Sequence, residues 1–375
     1  MMRSEFSVRL TALTRKEIRQ MLRDRSNLMV GLLLPVALIL LFGYGLSFDV
    51  RDAPVALVLD DNSAAAREAV SGIEGSHYLS PVYVDTMARA ETMLQSGKVD
   101  AIVRVPIDFS RRRAAGGASI QLVLNGIDST TATSLDAYVS ASVSNAMLRR
   151  VDREGAAGRG GSITLMQRTW FNEAGISTWY LVPGLIVLVM TLVGAFLTSL
   201  LIAREWERGT LEALFVTPVR PLEIVLSKLL PYMAVGLIDL ATCLLAARFL
   251  FQVPIRGSLF AIVLASALYL AVSLLLGLFI SGRTRNQFAA SQVALLTSFL
   301  PALMLSGFIF DLRNVPVAVQ VIAQLLPATH FMGMVKSLFL AGTDWMMVAR
   351  NCTILAAYAL VLIFATRRTL RKTLD

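Results

Sequence analysis

Six apolar runs limit what this chain can fold into. Each has roughly 20 mostly apolar residues, the length that an α-helix needs to cross the hydrocarbon core of a bilayer. Charged residues make up only 16% of the chain, against about 25% in soluble domains. The sequence therefore predicts an α-helical integral membrane protein. The predicted spans are residues 28–46, 179–203, 229–251, 259–280, 288–310 and 345–365.

The first run is predicted to remain in the mature protein. A secretory signal peptide has a shorter apolar stretch near the start of the chain and a small-residue cleavage site, whereas more than twenty residues precede this run. We expect residues 1–27 to form a cytoplasmic amphipathic helix and residues 28–48 to form the first transmembrane helix. Residues 179–375 are expected to form a transmembrane domain with five further spans.

One apolar segment, residues 311–343, is interrupted by Pro316, Pro327, Gly333 and Gly342. If it crossed the membrane, the chain would cross seven times and its basic tail would lie outside. Lys and Arg beside a span stay on the cytoplasmic side. We therefore expect a broken or re-entrant segment on the outer side. It should be covered by protein, because lipid tails offer no hydrogen-bond partners to the N–H and C=O groups of irregular backbone.

The basic residues indicate the orientation of the chain, whose net charge is +9. With six spans and both termini in the cytoplasm, the inner segments hold about 17 Lys and Arg, whereas the short outer connections hold about three. This distribution follows the positive-inside rule. The charge therefore predicts a topology with both termini inside, and it does not indicate a nucleic-acid partner.

Residues 49–178 break the apolar pattern and are too long for a loop without structure. Strand-like and helix-like segments alternate there, which predicts a small α/β domain inserted between the first and second spans, on the extracytoplasmic side. His77 is its single histidine, and it has no cysteine. We therefore expect no metal site and no catalytic residues in this domain. The predicted strands are residues 55–59, 82–84, 101–105 and 120–124.

The predicted inner connection between the second and third spans, residues 204–228, carries charges of both signs directly beneath the membrane. Leu211, Leu214 and Phe215 recur at helical spacing, which predicts a short helix with one apolar face, and Pro218 ends it. Such a helix can present charges to a cytosolic partner and pass its motion to the adjoining spans. The alternative is an ordinary charged loop that obeys the positive-inside rule.

Residues of this connection follow the pattern E-x-E-x-G-T-x-E-x-L-x-x-T-P-V, then E-I and a Lys. The matching residues are Glu205, Glu207, Gly209, Thr210, Glu212, Leu214, Thr217, Pro218, Val219, Glu223, Ile224 and Lys228. The pattern resembles the signature loop of type-2 ATP-binding-cassette (ABC) transporter permeases, in the multidrug and lipid-type exporter group with a large periplasmic domain. Residues 16–17, 42–45 and 306–308 resemble the N-terminal helix, first span and fifth span of the same family.

The resemblance implies a permease subunit of an ATP-driven exporter in the bacterial inner membrane, moving hydrophobic drugs, lipids or similar amphiphiles out of the cytoplasm or inner leaflet. It implies a dimer with a second copy or a paralogue, and an outer domain that either meets a periplasmic membrane-fusion protein or shapes the exit of the pathway. The chain has no G-x-x-x-x-G-K-[ST] loop for nucleotide phosphates. ATP and Mg²⁺ are therefore expected on a separate ABC ATPase subunit, and this chain is expected to bind no cofactor and to be no enzyme itself.

The resemblance also implies that a coupling helix at about residues 204–224 docks on the ATPase. The predicted docking residues are Arg204, Glu205, Glu207, Arg208, Gly209, Thr210, Glu212, Leu214, Thr217 and Pro218.

The N-terminal stretch mixes apolar residues on one helical face with basic residues that directly precede a span. This pattern is typical of an interfacial helix on an anionic leaflet. We therefore expect it to contact membrane lipid and not nucleic acid. The predicted membrane-surface residues are Arg15, Lys16, Arg19, Arg23 and Arg25.

Asp239 is the one acid well inside a predicted span. It lies eleven residues beyond Lys228, about 16 Å along a helix, where a charge costs at least about 2.5–3.5 kcal/mol. It is either a pathway or gating residue, or a protonated or hydrogen-bonded packing residue. A proton-coupled secondary transporter using Asp239, and a membrane-anchored structural or sensory protein using the outer domain, are the alternatives to the exporter.

Overall fold

The computed structural model describes residues 2–45, 52–115, 117–125, 129–154, 176–309, 312 and 315–370. The chain divides into two compact units. The first, the helical unit, comprises Met1–Leu46 and Thr169–Asp375. The second, the sheet unit, comprises Ser47–Arg168.

The described elements number fifteen α-helices and four β-strands. The helices are α1 Met2–Arg23, α2 Arg25–Gly45, α3 Ala64–Glu74, α4 Met87–Gln95, α5 Phe109–Ala114, α6 Ser129–Glu154, α7 Ser177–Glu207, α8 Thr210–Phe215, α9 Pro221–Leu245, α10 Leu259–Thr284, α11 Gln287–Ala294, α12 Leu300–Leu305, α13 Val317–Gln324, α14 Pro327–Leu340 and α15 Trp345–Thr369. The strands are β1 Ala53–Leu59, β2 Leu79–Tyr83, β3 Ala101–Val105 and β4 Gln121–Leu124. A π-helical turn, Ala246–Leu250, extends α9, and another, Leu295–Phe299, joins α11 to α12.

Among the described residues, five helices are long and apolar enough to cross a membrane. They match the second to sixth predicted spans, and this confirms a mostly helical membrane protein. Helix α2 covers the first predicted span, but its described apolar part, Met29–Gly45, is shorter than the other five. The five helices are Ser177–Glu207, Pro221–Leu250, Leu259–Thr284, Gln287–Leu305 and Trp345–Thr369.

The segment that the sequence predicts to be broken contains two helices, α13 and α14. They are bent by 87° at their junction. Pro327 is the first residue of α14, where its missing N–H removes no helical hydrogen bond. Proline therefore starts the second helix in a new direction, as expected for a broken or re-entrant segment.

Helix α7 forms the centre of the helical unit. It is apolar on all sides and contacts α2, α9, α10, α11 and α14, as expected for a helix that is buried all round. Its closest neighbour is α10, where Gly277 has no room for a side chain. A Cβ atom there would lie 2.1 Å from Oγ1 of Thr198 and 2.3 Å from the carbonyl oxygen of Ala195. Small residues at this crossing therefore let the two helix backbones approach closely.

The sheet unit is built on a four-stranded sheet in the order β2-β1-β3-β4. Strand β1 pairs in parallel with β2 and β3, and β4 pairs antiparallel with β3. Successive side chains of a strand point to opposite faces, so β1 supplies two cores. Val55 and Leu57 pack in the core that includes α3 and α6, whereas Ala56 and Val58 pack with Ala90 of α4.

Asp61 ties together the loop after β1 and the starts of two helices. Its Oδ1 atom accepts a hydrogen bond of 2.8 Å from the backbone N–H of Ser63, and its Oδ2 atom accepts one of 2.8 Å from the N–H of Ser110. Ser63 in turn caps α3 by accepting from the N–H of Ala66. These backbone donors lower the pKa of Asp61 to about 2, because they bind the ionised carboxylate more strongly than the acid.

Candidate functional site

The connection between α7 and α9, residues 208–220, is a short helix between two sharp turns; we name it the elbow. The first turn is at Gly209, which has a φ of +66°, a left-handed conformation that glycine adopts without steric cost. The second turn ends at Pro221, the first residue of α9, where Glu223 accepts a hydrogen bond from the backbone N–H of Arg220. The elbow helix α8 is therefore fixed at both ends.

Helix α8 has one buried and one exposed face. Leu211 is completely buried in the core of the helical unit, and Leu214 packs against that core. This confirms the amphipathic short helix expected from residues 211 and 214; the side chain of Phe215 lies outside the described residues. The exposed side chains form a surface that we name the outward face, which consists of Glu212, Ala213, Val216, Thr217 and Pro218.

Val216 is the most exposed apolar side chain on the outward face, at 89%. It follows α8 directly and has Glu212 one turn before it. A single exposed apolar residue is ordinary on a protein surface, so Val216 alone indicates nothing. Its position between Glu212 and Pro218 makes the outward face a surface with acidic and apolar side chains.

Beside the elbow lies a group of four charged residues, three of them buried, that we name the ion cluster. Nζ of Lys228 lies 3.1 Å from Oε1 of Glu17 and 2.9 Å from Oε2 of Glu205. Nζ of Lys16 lies 3.0 Å from Oε1 of Glu17 and 2.6 Å from Oε1 of Glu205. Two cations and two carboxylates therefore alternate, and their charges balance.

The ion cluster joins three helices at one place. Lys16 and Glu17 belong to α1, Glu205 to the last turns of α7, and Lys228 to the start of α9. Only Lys16 is substantially exposed, with 41% of its side chain accessible. Burial lowers the pKa of Lys16, but the carboxylates of Glu205 and Glu17 outweigh this, so its pKa is raised overall. The cluster therefore holds charged groups that would be costly to bury alone.

Further polar contacts bind the same helix ends. Arg204 of α7 forms an ion pair with Asp24 and donates a hydrogen bond of 3.2 Å to Gln287 of α11. Glu207 accepts a hydrogen bond of 2.8 Å from the backbone N–H of Gln287. Nε of Arg9 lies 3.3 Å from Oε1 of Glu223, which is fully buried. These contacts therefore join the ends of α1, α7, α9 and α11 beside the elbow.

Seven of the ten predicted docking residues are exposed in the structure: Glu207, Arg208, Gly209, Thr210, Glu212, Thr217 and Pro218. Leu214 is partly buried against the core. Glu205 is 2% exposed and lies in the ion cluster, so its carboxylate faces α1 and α9. Arg204, Glu207 and Arg208 lie at the end of α7, beside α11 and α1.

The predicted membrane-surface residues lie on α1, apart from Arg25, which begins α2 and whose side chain lies outside the described residues. Arg15, Arg19 and Arg23 are exposed. Arg19 and Arg23 line a cavity with Lys16, Arg204 and Arg208. Sequence reasoning did not bring these two groups of cations together, because the two groups lie in separate parts of the sequence.

Asp239 lies on the packed side of α9 and is 3% exposed. Its Oδ2 atom has no hydrogen-bond partner among the described residues. A separate cavity of about 340 Å³ lies between α7, α10, α14 and α15, with Thr191, Tyr269 and Ser298 among its lining residues. Asp239 does not line this cavity or the cavity beside α1.

Comparison with known proteins identifies the family. A family model described as "ABC-2 family transporter protein" matches residues 25–367. The chain belongs to this ABC-2 transporter family. The resemblance inferred from the elbow residues is therefore confirmed, and the chain is a multi-pass ABC transporter permease.

Three curated relatives of this ABC-2 permease come from Escherichia coli K12. "Probable multidrug ABC transporter permease YbhS" is 37% identical over 369 residues, which is 98% of both chains. "Probable multidrug ABC transporter permease YbhR" is 29% identical and covers 88% of this chain and 90% of its own length. "Inner membrane transport permease YhhJ" is 26% identical over 79% of both chains.

Proposed function

We propose that this ABC-2 permease is the membrane subunit of an ATP-driven exporter, with the outward face as the contact for a separate ABC ATPase. The observation that carries the proposal is the connection between the outward face and the ion cluster. The elbow presents exposed residues, and the cluster beside it ties together three helices. Displacement of α8 by a partner would therefore move α1, α7 and α9 as one body.

The proposed topology has both termini in the cytoplasm, the elbow on the inner side and the sheet unit on the outer side. The excess of Lys and Arg in the presumed inner segments supports this orientation. Two copies, or one copy and a paralogue, would form the pathway. Two curated relatives are named as probable multidrug permeases, which supports drugs as the transported class.

The proposal assigns different roles to the predicted docking residues. Glu212, Thr217 and Pro218 would contact the ATPase directly, together with Val216, which the pattern does not include. Glu205 would act from inside, by holding α7 to α1 and α9. Gly209 would set the direction of α8, and Leu214 would anchor it. ATP and Mg²⁺ would be bound by the partner alone.

Reversing the charge on the outward face tests the proposal. Glu212→Lys should reduce co-purification with the cognate ATPase at least tenfold, because it places a cation in the contact while leaving the buried groups intact. Glu91→Lys is the matched control, since Glu91 is an exposed residue on α4 of the sheet unit. Normal recovery of the ATPase with Glu212→Lys, or equal losses in both variants, would contradict the docking assignment.

A further inference from the structure

An open cavity of about 980 Å³ lies at the ends of α1 and α7 in the helical unit. Five basic residues line it: Lys16, Arg19 and Arg23 from α1, and Arg204 and Arg208 from the end of α7. Asp24 is the one acidic residue in the lining. The cavity therefore concentrates positive charge from two segments of the chain.

Part of this charge is already balanced inside the protein. Lys16 pairs with Glu17 and Glu205, and Arg204 pairs with Asp24. For Arg19, Arg23 and Arg208, no carboxylate within the described ranges lies at ion-pair distance. Three guanidinium groups therefore line one cavity without an ion-pair partner among the described residues. Guanidinium groups bind phosphate oxygens through paired N–H donors.

Another part of the cavity lining is apolar. It consists of Val30 from α2 and of Phe196 and Leu200 from α7, which follow the same face of that helix as Arg204. Leu200 and Phe196 lie one and two helical turns before Arg204, so the apolar wall extends about 12 Å along α7 from the basic end. A ligand that fills the cavity therefore has an anionic end and an apolar chain.

We propose that this cavity binds one anionic phospholipid. Its phosphate would contact Arg19, Arg23 and Arg208, and an acyl chain would lie along Val30, Phe196 and Leu200. The assignment of this lipid to the inner leaflet rests on the proposed topology, but the binding itself does not. The lipid would join α1 to the end of α7, and Arg208 would serve the lipid and not the ATPase.

Lipid binding to the purified full-length permease tests this proposal without any ATPase. The variant Arg19→Gln/Arg23→Gln/Arg208→Gln removes the unbalanced charge and spares the ion cluster. Arg15→Gln/Arg283→Gln/Arg367→Gln removes the same charge from exposed residues outside the cavity lining. Fluorescent phosphatidylglycerol in detergent should bind the cavity variant at least tenfold more weakly than it binds wild type. Its affinity for the control variant should be within twofold of wild type. The binding of phosphatidylcholine should be unchanged in both variants.

Equal losses in the two variants, or no loss in the cavity variant, would overturn the proposal. If the triple cavity variant does not fold, Val30→Trp provides the test, because Val30 is 38% exposed and a larger side chain there fills the apolar part only. Val30→Trp should weaken phosphatidylglycerol binding about fivefold.

Glycerol 3-phosphate separates a lipid site from a site for free phosphate compounds. It carries the phosphate without the acyl chains, so it should displace phosphatidylglycerol only at concentrations at least a hundredfold above those of a short-chain phosphatidylglycerol. Displacement at equal concentrations would overturn the lipid assignment. Failure of lipid binding would leave ATPase docking intact, since docking is measured by co-purification with Glu212→Lys.

Discussion

The ammonium group of Lys228 lies 2.9 Å from a carboxylate oxygen of Glu205, and both side chains are buried. One residue belongs to the start of α9 and the other to the end of α7, so this pair spans the two helices that the elbow connects. Glu17 lies on the other side of the same ammonium group, 3.1 Å away. The two helices that the elbow connects are therefore joined by buried ion pairs.

Removing Lys228 should destabilise the helical unit strongly. Lys228→Met leaves the carboxylates of Glu17 and Glu205 close to each other with only Lys16 between them, and loss of one partner from a buried ion pair costs about 3–5 kcal/mol. Thermal unfolding of the purified permease measures the effect. Lys98→Met, which removes an exposed lysine of the sheet unit, should change stability by less than about 0.5 kcal/mol.

A double-mutant cycle separates the Lys228–Glu205 interaction from side effects. Lys228→Met combined with Glu205→Gln should be less destabilising than the sum of the single variants, with a coupling of about 0.5–3 kcal/mol. Additive effects would show that these two side chains do not stabilise each other.

Gly209 should be required for the elbow geometry. Gly209→Ala forces a Cβ atom into the left-handed conformation, which costs roughly 1–2 kcal/mol, although no neighbouring atom obstructs the site. Gly97→Ala is the matched control, because Gly97 has a φ of +67° and equally open surroundings in the sheet unit. Both variants should lose similar stability, but only Gly209→Ala should weaken ATPase co-purification. Equal recovery of the ATPase with both variants would contradict a role for this turn.

Asp61 should make the stability of the sheet unit depend on acid pH. Its folded pKa is about 2, below the value of about 3.9 for an unfolded chain. A lowered pKa means that the stabilisation is present above the unfolded value and is lost as the pH falls through about 2. The difference in melting temperature between wild type and Asp61→Asn should be constant from pH 5 to 7 and decrease between pH 4 and 2.

A difference that stayed unchanged down to pH 2 would show that Asp61 stabilises the loop by some means other than its ionised form. Asp85→Asn is the control, because the Asp85 side chain is 91% exposed. This variant should match wild type throughout the same pH range.

Asp239→Asn should preserve both folding and transport. The amide has the shape of the carboxyl group and needs no buried charge, and Asp239 lines neither the cavity beside α1 nor the cavity between α7, α10, α14 and α15. Unfolding of the purified variant should differ from wild type by less than about 1 kcal/mol, and ATP-dependent efflux from proteoliposomes should remain within twofold. Loss of transport with a normally folded protein would favour the proton-relay alternative.

The sequence was sufficient for features that depend on local pattern. Apolar runs located the five long spans, and prolines located the break at Pro327. The spacing of Leu211 and Leu214 predicted the inward face of α8, because a helix brings residues three positions apart onto one side. Within the sheet unit, the strand predicted at residues 55–59 is present as Ala53–Leu59.

The sequence was not sufficient for features that depend on distant pairs. Glu205 looks like a surface residue in a charged loop, and its burial requires Lys16, which is 189 residues away, as well as Lys228. The exposure of Val216 could not be predicted from the sequence either. Val216 is not one of the residues that match the family pattern, and an apolar residue at a helix end is ordinarily expected to be buried. The cavity beside α1 combines cations from two segments that lie far apart in the sequence. Residue spacing along the chain does not indicate that these two segments meet.

Site-specific photo-crosslinking tests whether the ATPase docks on the outward face. A photoreactive amino acid at position 216 should form a covalent link to the ATPase in the assembled transporter, whereas the same group at position 15, an exposed site on α1, should not. We expect a strong cross-link at position 216 that disappears when Glu212→Lys prevents assembly. An intact complex with no cross-link at 216, or with equal cross-linking at both positions, would contradict docking through the outward face.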